Sequence, residues 1–553
     1  MKNIRQDIKE YSILFLLMLL FGFFYHFDLI KSGFELFPGD CGDALLNVLA
    51  ADSWGDVFRG ETHFRQNRIY YPFPAGRGFT DLSLTLYFLE LPWRWLFNAD
   101  MFTGAAVVYG LLFHFGIASM FYLLRKILHL NFMAAAGGAM LSFYCNACWV
   151  KLNHTQFFFM GLLPLLAILV IRYCQYWRNG SFRKRFLCGA GAILTFAWIA
   201  YSNFYTAFFA GLAGVIYLVI CAILLYRKGE LRERIIPQRI WELLLLALWG
   251  GVLFAPFLYT YIPLLNSDYE RIWTAAQGTL PTLADIVNVG PQNLLWGKLY
   301  DLAFPPIHKY VYENYHGLPL FTLGVTLWSC YFFWKRRKEF SPLFAALPAT
   351  LAVLYILSVK FAHCISLWYF IWKYVPGGSA IRAGGRIYVF MMFPLMVFLW
   401  WMIDRFTAKY SSRKQLLFCG ILFVILSIDN YNSITIYGWK PAEYEAKIKA
   451  IPPPPPEMKC FYLTDSAGGR LEHDNWSRYG LQAWYMARYF KCFSINGYSG
   501  NVPAGFLPLD PLSAAYRQEI ADWIRKHALS DVYTYDTAAD RWRRHRETNI
   551  NID

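Results

Sequence analysis

Long apolar blocks alternate with short, charged segments over most of this chain. The blocks lie near Tyr11–Tyr25, Met101–Leu124, Asn131–Val150, Gln156–Trp177, Phe186–Tyr201, Phe204–Tyr226, Ile240–Leu264, Leu318–Trp334, Pro342–Lys360, Arg386–Ile403 and Gln415–Ile428. Most approach the roughly 20 residues that an α-helix needs to cross about 30 Å of hydrocarbon. They predict about eleven spans. The first block follows Lys2, Arg5 and Lys9 with no small-residue cleavage site after it, so an uncleaved first helix is expected.

One further block, Leu82–Phe97, is short and carries Glu90 and Arg94. If it crossed the membrane, the basic segments would alternate badly between the two sides. If it lies along the interface, every strongly basic loop falls on one side. Those loops hold Arg125/Lys126, Arg178/Arg183/Lys184/Arg185, Arg227/Lys228/Arg232/Arg234, Lys335/Arg336/Arg337/Lys338 and Arg405/Lys409/Arg413/Lys414. The positive-inside rule makes that side cytoplasmic, together with the N-terminus. The expected architecture is an all-α polytopic bundle over 1–428, with an external first loop at 31–81 and an interfacial helix at 82–97. A small α/β extracytoplasmic domain over 429–553 follows, its turn and helix signals interrupted by the stiff run Pro452–Pro456.

Composition supports this class. Of 553 residues, 57% are hydrophobic and 16% charged, against about 45–50% and about 25% in soluble domains. Aromatic residues reach 19%, which suits lipid-facing and interfacial surface. The formal charge of +15 has a topological explanation in the basic loops, so no nucleic-acid partner is expected. Cys145 and Cys148 form a lone CxxC pair without a second one, which reads as two core cysteines. Cys460 and Cys492 could form a disulfide in an extracytoplasmic tail. No internal repeat marks a transporter.

The polar chemistry gathers in the external segments. The first loop opens Phe37-Pro-Gly-Asp-Cys-Gly-Asp-Ala44, with Asp40 and Asp43 just beyond the first helix and an apolar, helix-like stretch after them. Carboxylates beside a low-dielectric wall suit a general base or a cation site. Asp43 as a plain helix cap is the competing reading.

The order of elements resembles the GT-C superfamily of membrane glycosyltransferases, and within it a group of bacterial multi-pass members. More distantly, it is similar to the protein O-mannosyltransferases and the lipid A aminoarabinose transferases. The residues that carry the likeness are Gly39-Asp40-Cys41-Gly42-Asp43-Ala44, Tyr71-Pro72-Phe73-Pro74, His154-Thr155-Gln156 with Leu163-Pro164, and Pro376-Gly377 through Arg382-Ala383-Gly384-Gly385-Arg386. Asn496-Gly497-Tyr498-Ser499-Gly500 in the tail adds to it. One departure stands out. Asp43 precedes Ala44 rather than the Glu of the mannosyltransferase Asp-Glu pair, which bears against a two-carboxylate metal site.

The resemblance implies an inverting transferase that moves a sugar from a polyprenyl-phosphate donor to a cell-envelope glycan, glycolipid or protein at the external face of a bacterial inner membrane. It implies Asp43 as base, with Asp40 second. Arg382 and Arg386 would hold the donor phosphate, since arginine stays charged and bonds phosphate in pairs. His154, Gln156, Glu313, His316 and Tyr71 would contact substrate. No cofactor is fixed, and Mg²⁺ or Mn²⁺ dependence is left open. Two other functions fit the same pattern: a transporter or flippase of lipid-linked glycans, and a non-catalytic assembly protein on the same scaffold.

Overall fold

A computed structural model describes residues 2–152, 154–231, 239–266, 273–303, 312–361, 365–465, 475–507, 511 and 513–545. Arg232 and Arg234 of the expected basic loop lie outside these residues.

The molecule is mostly helical. Among the described residues, six helices are long and apolar enough to cross a membrane: Gln6–Tyr25, Met101–Ile127, Thr155–Trp177, Phe204–Arg227, Ile240–Leu264 and Gly384–Thr407. Further helices form at Phe182–Ala200, Leu320–Lys335 and Ser412–Asn430, with a shorter apolar one at Pro342–Ser358. Caps follow local chemistry. Asn203, for example, accepts the Thr206 N–H and starts the helix Phe204–Arg227.

One expected block is not a single helix. Asn131–Val150 breaks into Phe132–Leu141 and Asn146–Lys151. The break is stabilised from elsewhere in the chain. The Asn146 N–H donates to Asn430 Oδ1 at 3.1 Å, and its side-chain amide donates to the carbonyls of Tyr315 and Gly317. These bonds satisfy buried polar groups that an unbroken helix would have satisfied itself. The short second helix ends on Lys151.

The chain forms two compact units. One comprises Met1–Lys31, Tyr109–Phe254 and Arg271–Ile436; the other comprises Ser32–Val108, Ala255–Glu270 and Tyr437–Asp553. This grouping departs from a split at 428/429, because the first loop and the helix after it belong with the tail.

In the first unit, the helix Ile387–Thr407 is almost wholly buried. Gly137 and Gly138 let the helix Phe132–Leu141 approach it, since a Cβ on Gly137 would stand 2.6 Å from the Trp400 ring. Asp429, completely buried, accepts the backbone N–H and hydroxyl of Thr322 and the indole N–H of Trp296. It thereby caps the helix Leu320–Lys335 with a charge at its N-terminus.

The second unit holds a four-stranded sheet in the order Phe493–Ser494, Cys460–Thr464, Val532–Asp536, Arg541–Arg544. The first three strands are parallel, and the last pairs as an antiparallel edge. The helices Asn475–Tyr489 and Ala514–Lys526 make the crossovers, as parallel strands require. The first loop adds to this body. Phe37 and Pro38 pair with Trp439 and Tyr437, the Tyr71 N–H donates to the Ser494 carbonyl, and Trp523 Nε1 donates to the Tyr71 carbonyl at 2.8 Å. Cys460 is registered opposite Phe493, one residue beyond Cys492, and both thiols are free.

Candidate functional site

In the first unit, the structure gathers four of the predicted residues from three distant segments. Glu313 is the hub. Arg386 donates to its two oxygens, Nε to Oε2 at 3.1 Å and Nη2 to Oε1 at 2.6 Å. Lys151 Nζ donates to Oε2 at 3.1 Å. His154 Nε2 lies 3.3 Å from Arg386 Nη2 and 3.9 Å from Glu313 Oε1. His316 Nδ1 bonds the Glu313 carbonyl at 2.9 Å, and its ring stacks obliquely on Tyr388 with centroids 4.4 Å apart.

Each element places its residue for a local reason. Lys151 ends the short helix that the break at Ser142–Cys145 creates. His154 follows it, at the entry to the 3₁₀ segment Thr155–Leu162. Gln156 is buried there, and its carbonyl accepts the Asn203 side-chain amide at 2.8 Å. Arg386 closes the turn that leads into Ile387–Thr407. That turn is shaped by Tyr205, whose hydroxyl accepts the N–H groups of Arg382 and Ala383 while its ring lies 5.3 Å from the Arg386 guanidinium. Gly377 has φ +81°, a conformation that glycine supplies readily.

The electrostatics are lopsided. Two cations face one carboxylate, so the cluster keeps about one positive charge in excess. The side chains of Lys151 and Arg386 are 0% and 5% exposed, and Glu313 is 21% exposed, so the carboxylate is the open member. Burial pushes the Glu313 carboxyl up, but Arg386 and Lys151 together outweigh it and hold the group well below the usual carboxylate range. Burial, with repulsion from Arg386, lowers Lys151 to about 8 despite its bond to Glu313. Burial, with Lys151 nearby, lowers His316 to about 4 and keeps it neutral at physiological pH. Arg382 is exposed four residues before Arg386, and its carbonyl accepts the Thr279 hydroxyl at 2.6 Å. Such a group of cations can receive an anion with several oxygens.

The other predicted residues belong to the second unit. Asp40 is exposed, and its Oδ1 accepts the N–H groups of Gly42 and Asp43 at 3.0 and 2.9 Å. It makes the turn that starts the helix Asp43–Phe58, so the capping role falls to Asp40 rather than Asp43. Asp43 is half-buried in the first helical turn, and its carbonyl accepts the Asn47 amide. Tyr71 is half-buried with its ring 4.8 Å from that of Phe493, a packing contact within the unit. Among the described residues, no three His, Cys, Asp or Glu side chains are gathered as metal ligands. With Ala44 after Asp43 and Asp40 bonded to backbone, the turn does not offer the several oxygen ligands that Mg²⁺ takes.

Lys151 and Tyr205 are the residues that the sequence reading missed. The available signal was faint: a single lysine between two apolar blocks, on the side otherwise poor in basic residues. No protein-family model matches the chain, and no curated protein matches it significantly.

Proposed function

We propose that the protein is a GT-C-like inverting glycosyltransferase of the bacterial inner membrane, with about eleven spans, its N-terminus in the cytoplasm and its tail outside. The observation that carries this reading is the pair of cations Lys151 and Arg386, with His154 beside them, around Glu313 in a helical unit rich in apolar spans. A polyprenyl-phosphate donor presents an anion at the end of a greasy chain, which suits such a place. Arg386 and Lys151 stabilise the departing phosphate, and Arg382 draws the donor in from the exposed side. The acceptor hydroxyl attacks the anomeric carbon from the opposite face. The new C–O bond forms as the bond to phosphate breaks, polyprenyl phosphate leaves, and the hydroxyl proton passes to a base, the role that the resemblance to the GT-C superfamily gives to Asp43.

The deciding experiment is an assay of purified protein with radiolabelled prenyl-phosphate sugars and cell-envelope acceptors. Transfer by the wild type, with a loss of about 10²-fold or more in Asp43→Asn, is the expected result. Full turnover in Asp43→Asn removes the base. A second reading, a carrier of lipid-linked glycans, draws on the complete burial of Lys151, since paired ions inside helical bundles also mark transport pathways. Vesicle flipping of the lipid-linked sugar without transfer would favour it.

A further inference from the structure

The two cations of the Glu313 cluster are out of reach as the structure stands. The side chains of Lys151 and Arg386 are 0% and 5% exposed, while the carboxylate they share is 21% exposed. An incoming anion therefore meets Glu313 first. That carboxylate is already seated as a phosphate would be. Arg386 Nε and Nη2 reach separate oxygens, and Lys151 Nζ shares Oε2 with Nε. Arginine and lysine bond phosphate oxygens in the same manner, so carboxylate and phosphate compete for one place.

The packing fixes the cations and leaves the carboxylate as the member that can move. The Arg386 guanidinium stands 5.9 and 5.3 Å from the ring centroids of Phe157 and Tyr205. Lys151 ends a short helix in which every residue is buried. Glu313 lies instead on a single 3₁₀ turn, Tyr312–Asn314. Its carbonyl is held at 2.9 Å by Nδ1 of the completely buried His316, so the backbone is anchored and rotation of the side chain alone carries the carboxylate outward.

Charge decides which anion prevails. A carboxylate and a phosphodiester each carry one negative charge, whereas a phosphate monoester carries about 1.5–2 near pH 7. Two fixed cations match the monoester better. When it departs, two buried cations without a counter-charge are costly, which draws the carboxylate back.

We propose that Glu313 is an internal competitor for phosphate: its carboxylate gives up Lys151 and Arg386 when a phosphate monoester binds, and returns to displace it. The role this gives Glu313, release of the spent polyprenyl phosphate, rests on the transferase reading. The exchange itself requires only that a phosphate monoester reach the two cations.

The test uses the full-length protein in phosphatidylcholine nanodiscs, with farnesyl phosphate as the probe and inorganic phosphate as a second arm. Infrared difference spectra of the wild type should show a carboxylate stretching band shift as Glu313 passes from the two cations to water. Glu313→Asp, one methylene shorter, should alter that band and assign it. Because this variant keeps the charge but holds the cations less well, it should bind farnesyl phosphate about tenfold more tightly than the wild type. Adding Lys151→Met to Glu313→Asp should abolish the gain. A shift with farnesyl phosphate alone identifies a lipid-borne phosphate as the competitor, and a shift with inorganic phosphate as well identifies phosphate in general; both uphold the exchange. It is overturned if the wild-type carboxylate bands stay unchanged at saturation, if Glu313→Asp binds no more tightly than the wild type, or if its gain survives Lys151→Met. Sugar transfer by a wild type that shows no band shift would remove the exchange and leave the transferase reading standing. A band shift in a protein that transfers no sugar would do the reverse.

Discussion

Glu313 holds two buried cations at once, so its loss is costly. Removing one partner of a buried pair typically costs about 3–5 kcal/mol, because the remaining charge stays out of water. The same crowding sets a pH dependence. With Lys151 lowered to about 8, it is charged below that pH and neutral above it. Affinity for an anionic donor should therefore be complete near pH 7 and fall as pH rises through 8. We expect this alkaline limb in titrations of polyprenyl-phosphate binding to the wild type. Lys151→Met, similar in length and without charge, should bind about tenfold more weakly at pH 7 and show no limb between pH 7 and 9. A wild-type profile flat to pH 9 would exclude Lys151 from donor binding.

The helix Leu84–Phe97 shows what a charged residue in a short apolar block can be for. Phe88, Trp95, Leu96 and Phe97 are exposed along it, whereas Glu90 is completely buried. Arg94 joins Glu90 Oε1 at 2.9 Å to Asp52 Oδ1 at 2.7 Å, and Arg488 of the tail bonds the other Asp52 oxygen. Thus Glu90 faces Asp52 and Arg94 directly, with Arg488 behind them, and its Oε2 has no hydrogen-bond partner among the described residues. Burial raises the Glu90 carboxyl to about 8, with Arg94 opposing and Asp52 reinforcing the shift. Burial also raises Asp52, but Arg488 and Arg94 prevail and bring it below its usual value. The signs are opposite. The folded state holds a proton on Glu90 that the unfolded chain releases near 4.5, so this contribution to stability is full below 4.5, declines as pH rises to about 8, and is gone above it. The Asp52 contribution is present above about 3.8 and is lost as pH falls further. Thermal unfolding between pH 5 and 8 should show the wild type losing stability with rising pH. Glu90→Gln, a neutral mimic of the protonated acid, should flatten that slope and be the more stable protein at pH 8. A parallel slope in Glu90→Gln would mean that Glu90 is not the titrating group.

At the scale of the whole chain, the apolar blocks were legible because helices at membrane length need little beyond composition to declare themselves. What could not be read was everything held by partners far away in sequence. The break within Asn131–Val150 depends on Asn430, Lys151 meets Glu313 across 162 positions, and the first loop folds with a tail some 400 residues later. Neither periodicity nor local propensity encodes those pairings. Likewise, the sequence offered Asp43 as the helix cap, and only the backbone turn shows that Asp40 takes that part. Topology is where sequence and structure make one joint, testable statement. If Leu84–Phe97 stays at the interface, the segments after Arg185 and after Lys338 are both cytoplasmic, and the C-terminus is external. The burial of Glu90 within its own unit is compatible with that placement, since the helix then needs no second charged face to hide from lipid. Alkaline phosphatase and green fluorescent protein fusions at Arg185, Lys338 and the C-terminus distinguish the sides. Fluorescence at the first two and phosphatase activity at the third is the expected pattern. Phosphatase activity at Arg185 would mean that Leu84–Phe97 crosses the membrane, and it would place the Lys151–Glu313–Arg386 cluster on the cytoplasmic side, out of reach of an external acceptor.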